Sequence, residues 1–386
     1  MLAADAPERR TYTRRVIETS PPPGFLSLGQ AVARRMAQQA VEHGRAGRTL
    51  LVHGPAGSGK GSFIDDLLAL HFCDDADTDR RPCNACRGCR AARSRSHPDL
   101  VIGSPDAWRE QRASGESIVA VARRWLLDAA GAPIAAARRV VLVEHADRAN
   151  EQIQNALLKA LEEPTDRHVF ILVADEPGAL LPTIRSRCQP IRIGPVPREE
   201  LATYLMDIRR LPADQADVLA RISGGLTERA LSFADDTPLL RWRARVQAEL
   251  LSLLERGRAD RFGSVRDLLD ETVRLNPPVV EEAGDEAQAR TPASAQRGAA
   301  AMLVEVWLSL TRDLIVAAVG RAELAPSREL APQLESLAER IGSARLVRMA
   351  VLLERIDGGL REAASPKLAL EAAMLAWPLL PQPRDR

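Results

Sequence analysis

Cys73, Cys83, Cys86 and Cys89 come shortly after a glycine-rich segment, Gly54-Pro55-Ala56-Gly57-Ser58-Gly59-Lys60. Glycines at 54, 57 and 59 ahead of Lys60 allow backbone N–H groups to wrap phosphates while the lysine reaches the terminal ones. Such a loop joins a buried strand to a helix, which commits the surrounding chain to a layered α/β fold. The cysteines then fall where that helix should end. Together the two features predict a nucleotide-binding fold with a small metal knot inserted in it.

Cys83-x-x-Cys86-x-x-Cys89 brings three thiols within one short stretch, and Cys73 supplies a fourth upstream. Zinc takes four thiolates in a tetrahedron, and two-residue spacers let a tight turn aim successive sulfurs at one point. The spacer residues Asn84, Ala85, Arg87 and Gly88 suit such a knuckle. A disulfide pair is the first rival; it is disfavoured because no secretory leader is read and the rest of the chain has a cytosolic character. An iron–sulfur cluster is the second, since some ferredoxin spacings also gather three cysteines and one remote partner. Structural zinc is the reading preferred here. With all four positions filled by cysteine, no coordination site is open for catalysis.

Composition excludes several classes. With 386 residues the chain should hold two or three domains. Its apolar runs are far shorter than the ~20 residues a membrane span needs. Formal charge is +1, from 53 basic and 52 acidic residues, so no bulk field draws it to nucleic acid or to a membrane. Aromatic residues make up 3%, which leaves few platforms for stacking single-stranded bases.

Aliphatic runs recur at Thr49 to His53, Leu100 to Ile102, Val140 to Val143, Val169 to Val173 and, more weakly, Pro190 to Ile193. Continuous runs of this kind, separated by helical stretches, are the pattern of a parallel sheet covered on both faces. A helix is expected over Ser62 to Phe72. Another carries Ile153, Ala156, Leu157, Ala160 and Leu161 on one face, with Pro164 as its stop. Residues 1–195 therefore read as an α/β domain with the cysteine module at 73–89. Beyond Pro195-Val196-Pro197 the strand pattern ends. Arg198 to Phe233, interrupted at Gly224-Gly225, reads as a small helical module. Longer helices are expected at Trp242 to Leu254, Ala300 to Val319, Leu346 to Leu360 and Leu368 to Trp377. Pro277 to Gln296 is acidic, rich in proline and alanine and without periodicity, and is expected to be a flexible loop. No solenoid-type repeat is present.

The phosphate loop lacks its usual metal partners. The hydroxyl that would meet Mg²⁺ should come directly after Lys60, but Gly61 stands there and Ser62 comes one residue late, about 100° further round the helix. A buried strand of a P-loop ATPase usually ends in two acids, whereas this one ends Val143-Glu144-His145. Glu144 can stand in for the first carboxylate; His145 replaces the second and reads as a structural or surface residue. Hydrolysis by this chain is not expected. Gly54, Gly57, Gly59, Lys60, Ser62 and Glu144 remain the candidate contacts for ATP or ADP held without turnover, and a plain glycine turn is the alternative.

The chain resembles the delta-prime family of bacterial sliding-clamp-loader subunits, which are AAA+ proteins of the DNA polymerase III holoenzyme. The matching segments are Gly54 to Lys60, the four cysteines, His97-Pro98-Asp99, Asn155-Ala156-Leu157-Leu158-Lys159-Ala160-Leu161-Glu162-Glu163-Pro164, Thr183-Ile184-Arg185-Ser186-Arg187-Cys188, and Ser365-Pro366-Lys367-Leu368-Ala369-Leu370-Glu371. The likeness covers most of the chain and is faint between about 240 and 360. It implies a P-loop AAA+ domain with an inserted zinc knuckle over 1–195, a small helical lid domain over 196–238, and an all-α collar domain over 239–386. It also implies that Arg187 is an arginine finger, offered across a subunit boundary to ATP bound by a neighbour; a guanidinium presents several fixed donors to a γ-phosphate and works in trans. Arg185 is read as a surface or interface partner, and Cys188 as a small buried residue outside the metal site.

Measured against the family's ATP-hydrolysing members, Gly61, His145, Ala174 and Glu228 stand at degraded positions, with Arg229 one residue out of register. The resemblance therefore implies a non-hydrolysing stator subunit with no activity of its own. Its partners would be the motor and clamp-opening subunits of a hetero-pentamer, and it would meet the sliding clamp and primed DNA through the complex. Its location would be cytoplasmic, with no membrane contact, and polymerisation would belong to another subunit of the holoenzyme. Two other readings stay open. An ATP-hydrolysing motor subunit predicts turnover by the isolated chain. A zinc-bearing DNA-binding module predicts salt-sensitive DNA affinity, and Arg80, Arg81, Arg87, Arg90, Arg93 and Arg95 around the knuckle are its only support.

Overall fold

Aliphatic residues that alternate between two faces build the centre of the first half of the molecule. In the computed structural model, which describes residues 24–42, 49–162, 166–275, 292–326, 330–361 and 364–380, five strands form one sheet: β1 Thr49–His53, β2 Leu100–Gly103, β3 Arg139–Val143, β4 His168–Ala174 and β5 Gln189–Arg192. All pairings are parallel, in the order β2-β3-β4-β1-β5. Successive side chains of a strand point to opposite faces. Leu50, Val52, Val140, Leu142, Val169 and Ile171 accordingly face one side. There they pack with helix α1 (Ala31–Glu42) through Ala33 and Ala37, and with α2 (Lys60–His71) through Phe63, Ile64, Leu67 and Leu68. Leu51, Val141, Val143, Phe170 and Leu172 face the other side. They meet α5 (Ile118–Ala129) through Val121 and Ala122, and α6 (Glu151–Glu162) through Ile153, Leu157 and Leu161. Short helices α3 (Arg87–Arg93), α4 (Pro105–Glu110) and α7 (Pro182–Arg185) complete this half.

The chain divides into two compact units, 1–194 and 195–386. The second is all helix: α8 Arg198–Arg209, α9 Ala213–Ile222, α10 Thr227–Asp235, α11 Thr237–Ser252, α12 Arg258–Leu275, α13 Pro292–Ala318, α14 Ala331–Ile341, α15 Ser343–Arg361 and α16 Pro366–Ala376. Its core threads α11 to α16 through Val246, Leu268, Leu310, Leu334, Leu353 and Leu370. Trp307 and Trp377 meet edge to face at 5.3 Å. The Trp377 ring N–H donates to the Leu250 carbonyl at 3.0 Å. The buried guanidinium of Arg261 donates to the carbonyls of Trp377 and Pro378, both at 2.8 Å, so that the chain's last described turn is tied to α12. No helix among the described residues is long and apolar enough to cross a membrane.

One sequence expectation needs correction. The loop read over Pro277 to Gln296 gives way to α13 at Pro292. A proline is well placed in the first turn, where its missing N–H costs nothing, and the alanines beyond it are strong helix formers. The remainder of that segment, 277–291, lies outside the described residues, as do Glu163 and Pro164 after α6. Helices α1, α5, α12 and α14 were not singled out by periodicity.

Candidate functional site

Parallel strands bring their carboxyl ends to one edge of a sheet, and ligands of such folds bind outside those ends. Here β1 leads into the phosphate loop, β3 into Glu144 and β4 into Asp175. The pairing of His53 with Ala174 and of Val143 with Leu172 keeps the three ends together. Gly54 takes φ +154°, and a Cβ there would lie 1.9 Å from the Ile193 carbonyl oxygen, so only glycine fits. Gly57 and Gly59 are also at positive φ. From this loop α2 starts at Lys60, its first N–H groups turned toward the loop as a phosphate cradle requires.

The loop's lysine is fully engaged within the chain. Its ammonium donates to the carbonyls of Gly54 at 2.9 Å and Pro55 at 2.8 Å, and pairs with the Asp175 carboxylate at 2.7 Å. Those three acceptors match the three donors of an ammonium, and Lys60 is 7% exposed. Asp175 is itself positioned: Asp147 accepts the backbone N–H groups of Asp175 at 3.0 Å and Glu176 at 2.9 Å. Glu144 is likewise held, pairing with Arg95 at 2.7 Å, and Arg95 also reaches Asp65 of α2 at 3.0 Å. Ser62 lies exposed on α2. His145 adopts a left-handed turn at φ 50°, a structural role at the strand end. Burial and the positive charges of Arg192 and Lys60 hold the His53 imidazole below its ordinary range, so it stays neutral beside the loop.

At the other end of α2 the four predicted thiols converge. The sulfurs of Cys73, Cys83, Cys86 and Cys89 all lie within 4.8 Å of one another. Backbone N–H groups of Cys83, Cys86 and Cys89 point at the sulfurs of Cys73, Cys83 and Cys86 respectively, at 3.4, 3.4 and 3.3 Å. Burial opposes ionisation of the Cys83 thiol, but the N–H groups of Ala85 and Cys86 outweigh it and bring the thiol down to about 7. Gly88 lets α3 close on the end of α2, since a Cβ there would sit 1.8 Å from the Phe72 carbonyl oxygen. Four sulfurs, three buried and that of Cys86 half-buried, with N–H donors around them fit a structural zinc ion, with all four cysteines as ligands. Cys188 takes no part: it is buried among residues of the opposite sheet face, where burial pushes its thiol up to about 12.

Two buried carboxylates, neither anticipated from the sequence as a structural anchor, hold this module in place. Asp66, 0% exposed, accepts the N–H groups of Leu26 at 2.9 Å and Ser27 at 2.7 Å and pairs with Arg93 of α3 at 2.8 Å. Arg93 also donates to the side-chain amide oxygen of Asn84 at 2.9 Å. Asp99 accepts the N–H groups of Ile134, Ala135 and Ala136 at 2.6 to 2.7 Å. Burial works against its ionisation, but those three N–H groups hold its carboxyl below the usual range. Next to it the His97 ring stacks on Phe72 at 3.8 Å, tying the start of β2 to the cysteine module.

Arg187 lies on a different part of the first unit, just after α7. Its side chain is 37% exposed, and its guanidinium pairs with Glu162 at 2.9 Å and donates to the Thr183 carbonyl at 3.0 Å. The buried Gln154 side chain braces the approach to α7: it donates to the carbonyls of Ala149 and Ala179 and accepts the N–H of Leu181. Arg185 is exposed. In the second unit, Arg229 pairs with Glu305 of α13 at 2.6 Å. The structure thus gathers the phosphate-loop residues with Glu144 and the cysteines with one another, while Arg187 and Ser62 stand apart. Asp175 escaped sequence reading, though a lone acid directly after a buried strand was an available signal; Arg95 was read only as one of the arginines around the knuckle and not as the partner of Glu144.

A family model described as "DNA polymerase III, delta subunit" matches residues 29–197. A delta-prime subunit of DNA polymerase III from Bacillus subtilis is 25% identical over 233 residues, covering 60% of this chain and 67% of that protein. One from Pseudomonas aeruginosa is 33% identical over 188 residues, covering 45% and 52%. A gamma/tau subunit from Mycobacterium tuberculosis is 29% identical over 379 residues, covering 93% and 61%. The chain thus matches between about half and two thirds of the length of these relatives. With its parallel sheet and helical second unit, the chain is similar to clamp-loader-type subunits of DNA polymerase III. Among these relatives, those from Bacillus subtilis and Pseudomonas aeruginosa are delta-prime subunits, and the chain is similar to them over part of its length.

Proposed function

We propose that the chain is a non-hydrolysing, stator-type subunit of a sliding-clamp loader, and that it completes an ATP site on a neighbouring motor subunit with Arg187. The observation that carries this reading is the contrast in arginine and lysine use. Lys60 is buried with all three of its donors met inside the chain, whereas the Arg187 side chain, just after α7 in a segment braced by Gln154, is exposed and held only by the surface partners Glu162 and Thr183. In this role the guanidinium of Arg187 would stabilise the charge that develops on a γ-phosphate bound by the neighbour. The four cysteines would hold a structural zinc ion. Residues 196–238 would serve as the lid, and 239–386 as the collar that joins the motor and clamp-opening subunits in a hetero-pentamer. Sliding clamp and primed DNA would be met through that assembly in the cytoplasm.

The test is clamp- and primed-DNA-stimulated ATP turnover by a loader reconstituted from cognate subunits, with this chain as wild type or Arg187→Ala. Loss of an in-trans arginine at one site should lower stimulated turnover at least severalfold without loss of assembly. Unchanged turnover would remove the arginine finger from the account. A second reading, an ATP-hydrolysing motor subunit, is favoured by the likeness to gamma/tau subunits along 93% of the chain. It predicts ATP turnover by the purified chain alone.

A further inference from the structure

The phosphate loop retains its shape while its lysine is spent. Three glycines at positive φ form the turn, α2 starts from it, and Lys60 reaches back into it. The buried hydroxyl of Ser58, 1% exposed, has no hydrogen-bond partner among the described residues. A glycine turn with no phosphate history has little reason to bury an unpaired hydroxyl, because an unsatisfied polar group costs about 1–3 kcal/mol. What differs from an open phosphate site is Asp175. Its carboxylate supplies the single anionic acceptor at Lys60, the other two being neutral carbonyls.

We propose that Asp175 is a built-in anion that closes the phosphate loop, taking the Lys60 contact that a nucleotide's terminal phosphates would need, so that the loop is a latent phosphate site. Asp175 is suited to this for three reasons. It directly succeeds β4, whose last residue, Ala174, accepts the Gly54 N–H at 3.2 Å, so strand and loop share one edge. Its backbone is fixed by Asp147 through two N–H contacts. Its second carboxylate oxygen lies 3.8 Å from Arg148, a cation able to receive it when Lys60 is released. A preordered acid on the same chain competes with free nucleotide at a high effective concentration. Opening the loop brings no hydrolysis, because Gly61 supplies no hydroxyl and Glu144 is tied to Arg95. The latent site is the chain's own and is separate from the action of Arg187 on a neighbour.

The test is binding of ADP and of ATP, each with Mg²⁺, to the full chain by calorimetry, for wild type, Asp175→Asn, Asp175→Ser and the double variant Lys60→Ala with Asp175→Asn. Removing one charge-assisted contact should tighten binding about 10- to 100-fold, and the double variant should lose the gain. Wild type binding as tightly as Asp175→Asn, or a folded Asp175→Asn that gains nothing, would overturn the proposal. A second readout needs no ligand. The chain has only three lysines, Lys60, Lys159 and Lys367, so acylation of each can be followed by mass spectrometry. Lys60 should react slowly in wild type and faster in Asp175→Ser, with exposed Lys367 as the internal standard. Equal Lys60 rates in the two proteins would also overturn it, even if one variant folds poorly. Whether Arg187→Ala affects the reconstituted loader bears on the stator reading alone, so the two ideas fail separately.

Discussion

Helix α2 carries a chemically loaded site at each end, and the two ends are completed in opposite ways. At its N-terminus the phosphate loop is closed by the chain's own groups: two carbonyls and Asp175 satisfy Lys60. At its C-terminus four sulfurs come within 4.8 Å of one another with backbone N–H groups around them; as thiolates they call for a metal ion as their partner. One end is therefore self-sufficient and the other has the donor set to take an added ion. The difference is one of charge sign. A lone cation among acceptors can be met by an acid from an adjacent strand end, whereas four soft anionic ligands repel one another until a cation joins them.

Stripping the metal is the strongest way to break the comparison. Cys89→Ser, or chelation of the wild type, should lower zinc content from about one ion per chain toward zero and destabilise the first unit by about 4 kcal/mol or more. Cys188→Ser should leave the zinc content unchanged. Zinc analysis paired with thermal unfolding checks both, and an undiminished melting temperature after metal loss would mean that this end too is self-sufficient.

Asp66→Ala tests the middle of the same helix, with a smaller expected effect. It removes a buried carboxylate and leaves the Arg93 guanidinium and the N–H groups of Leu26 and Ser27 without their acceptor, at a cost of about 3–5 kcal/mol. Denaturant unfolding measures the loss. Because Arg93 lies on α3, zinc affinity should weaken in the same variant; full affinity would show that the cysteine module holds itself.

Asp99→Asn should have the smallest effect, about 1–2 kcal/mol at neutral pH. The folded protein holds the Asp99 carboxyl below its ordinary range, and the unfolded value is about 3.9. A depressed folded value contributes stability that is fully present above the unfolded value and is lost as pH falls through the folded one. The melting temperatures of wild type and variant should therefore differ by a constant amount from neutral pH to about pH 5 and converge below about pH 4. A difference that persists to low pH would mean that shape and not charge makes Asp99 a good acceptor.

Much of the site was legible because its signals are local. Glycines that must take positive φ, cysteines at two-residue spacing and aliphatic runs of strand length each declare themselves within a few residues, and all were recovered where the sequence placed them. Helices α1, α5, α12 and α14 were less legible, since their apolar faces are interrupted by charged or small residues and become clear only when packed. The start of α13 at Pro292 was hidden by composition: an acidic, alanine-rich stretch reads as loop until the helix beyond it extends back to meet it.

The amino-acid order alone settled the parallel sheet, the phosphate turn and the cluster of thiols, because backbone conformation and ligand spacing are short-range properties. Only the tertiary structure decided which charges meet. Lys60 and Asp175 are far apart in the chain and become neighbours because β1 lies beside β4. Arg95 bridges Glu144 and Asp65, and Asp66 joins Leu26 to Arg93, through the same kind of crossing. A charge pair of this type depends on distances set by packing, and no local pattern in the sequence encodes them.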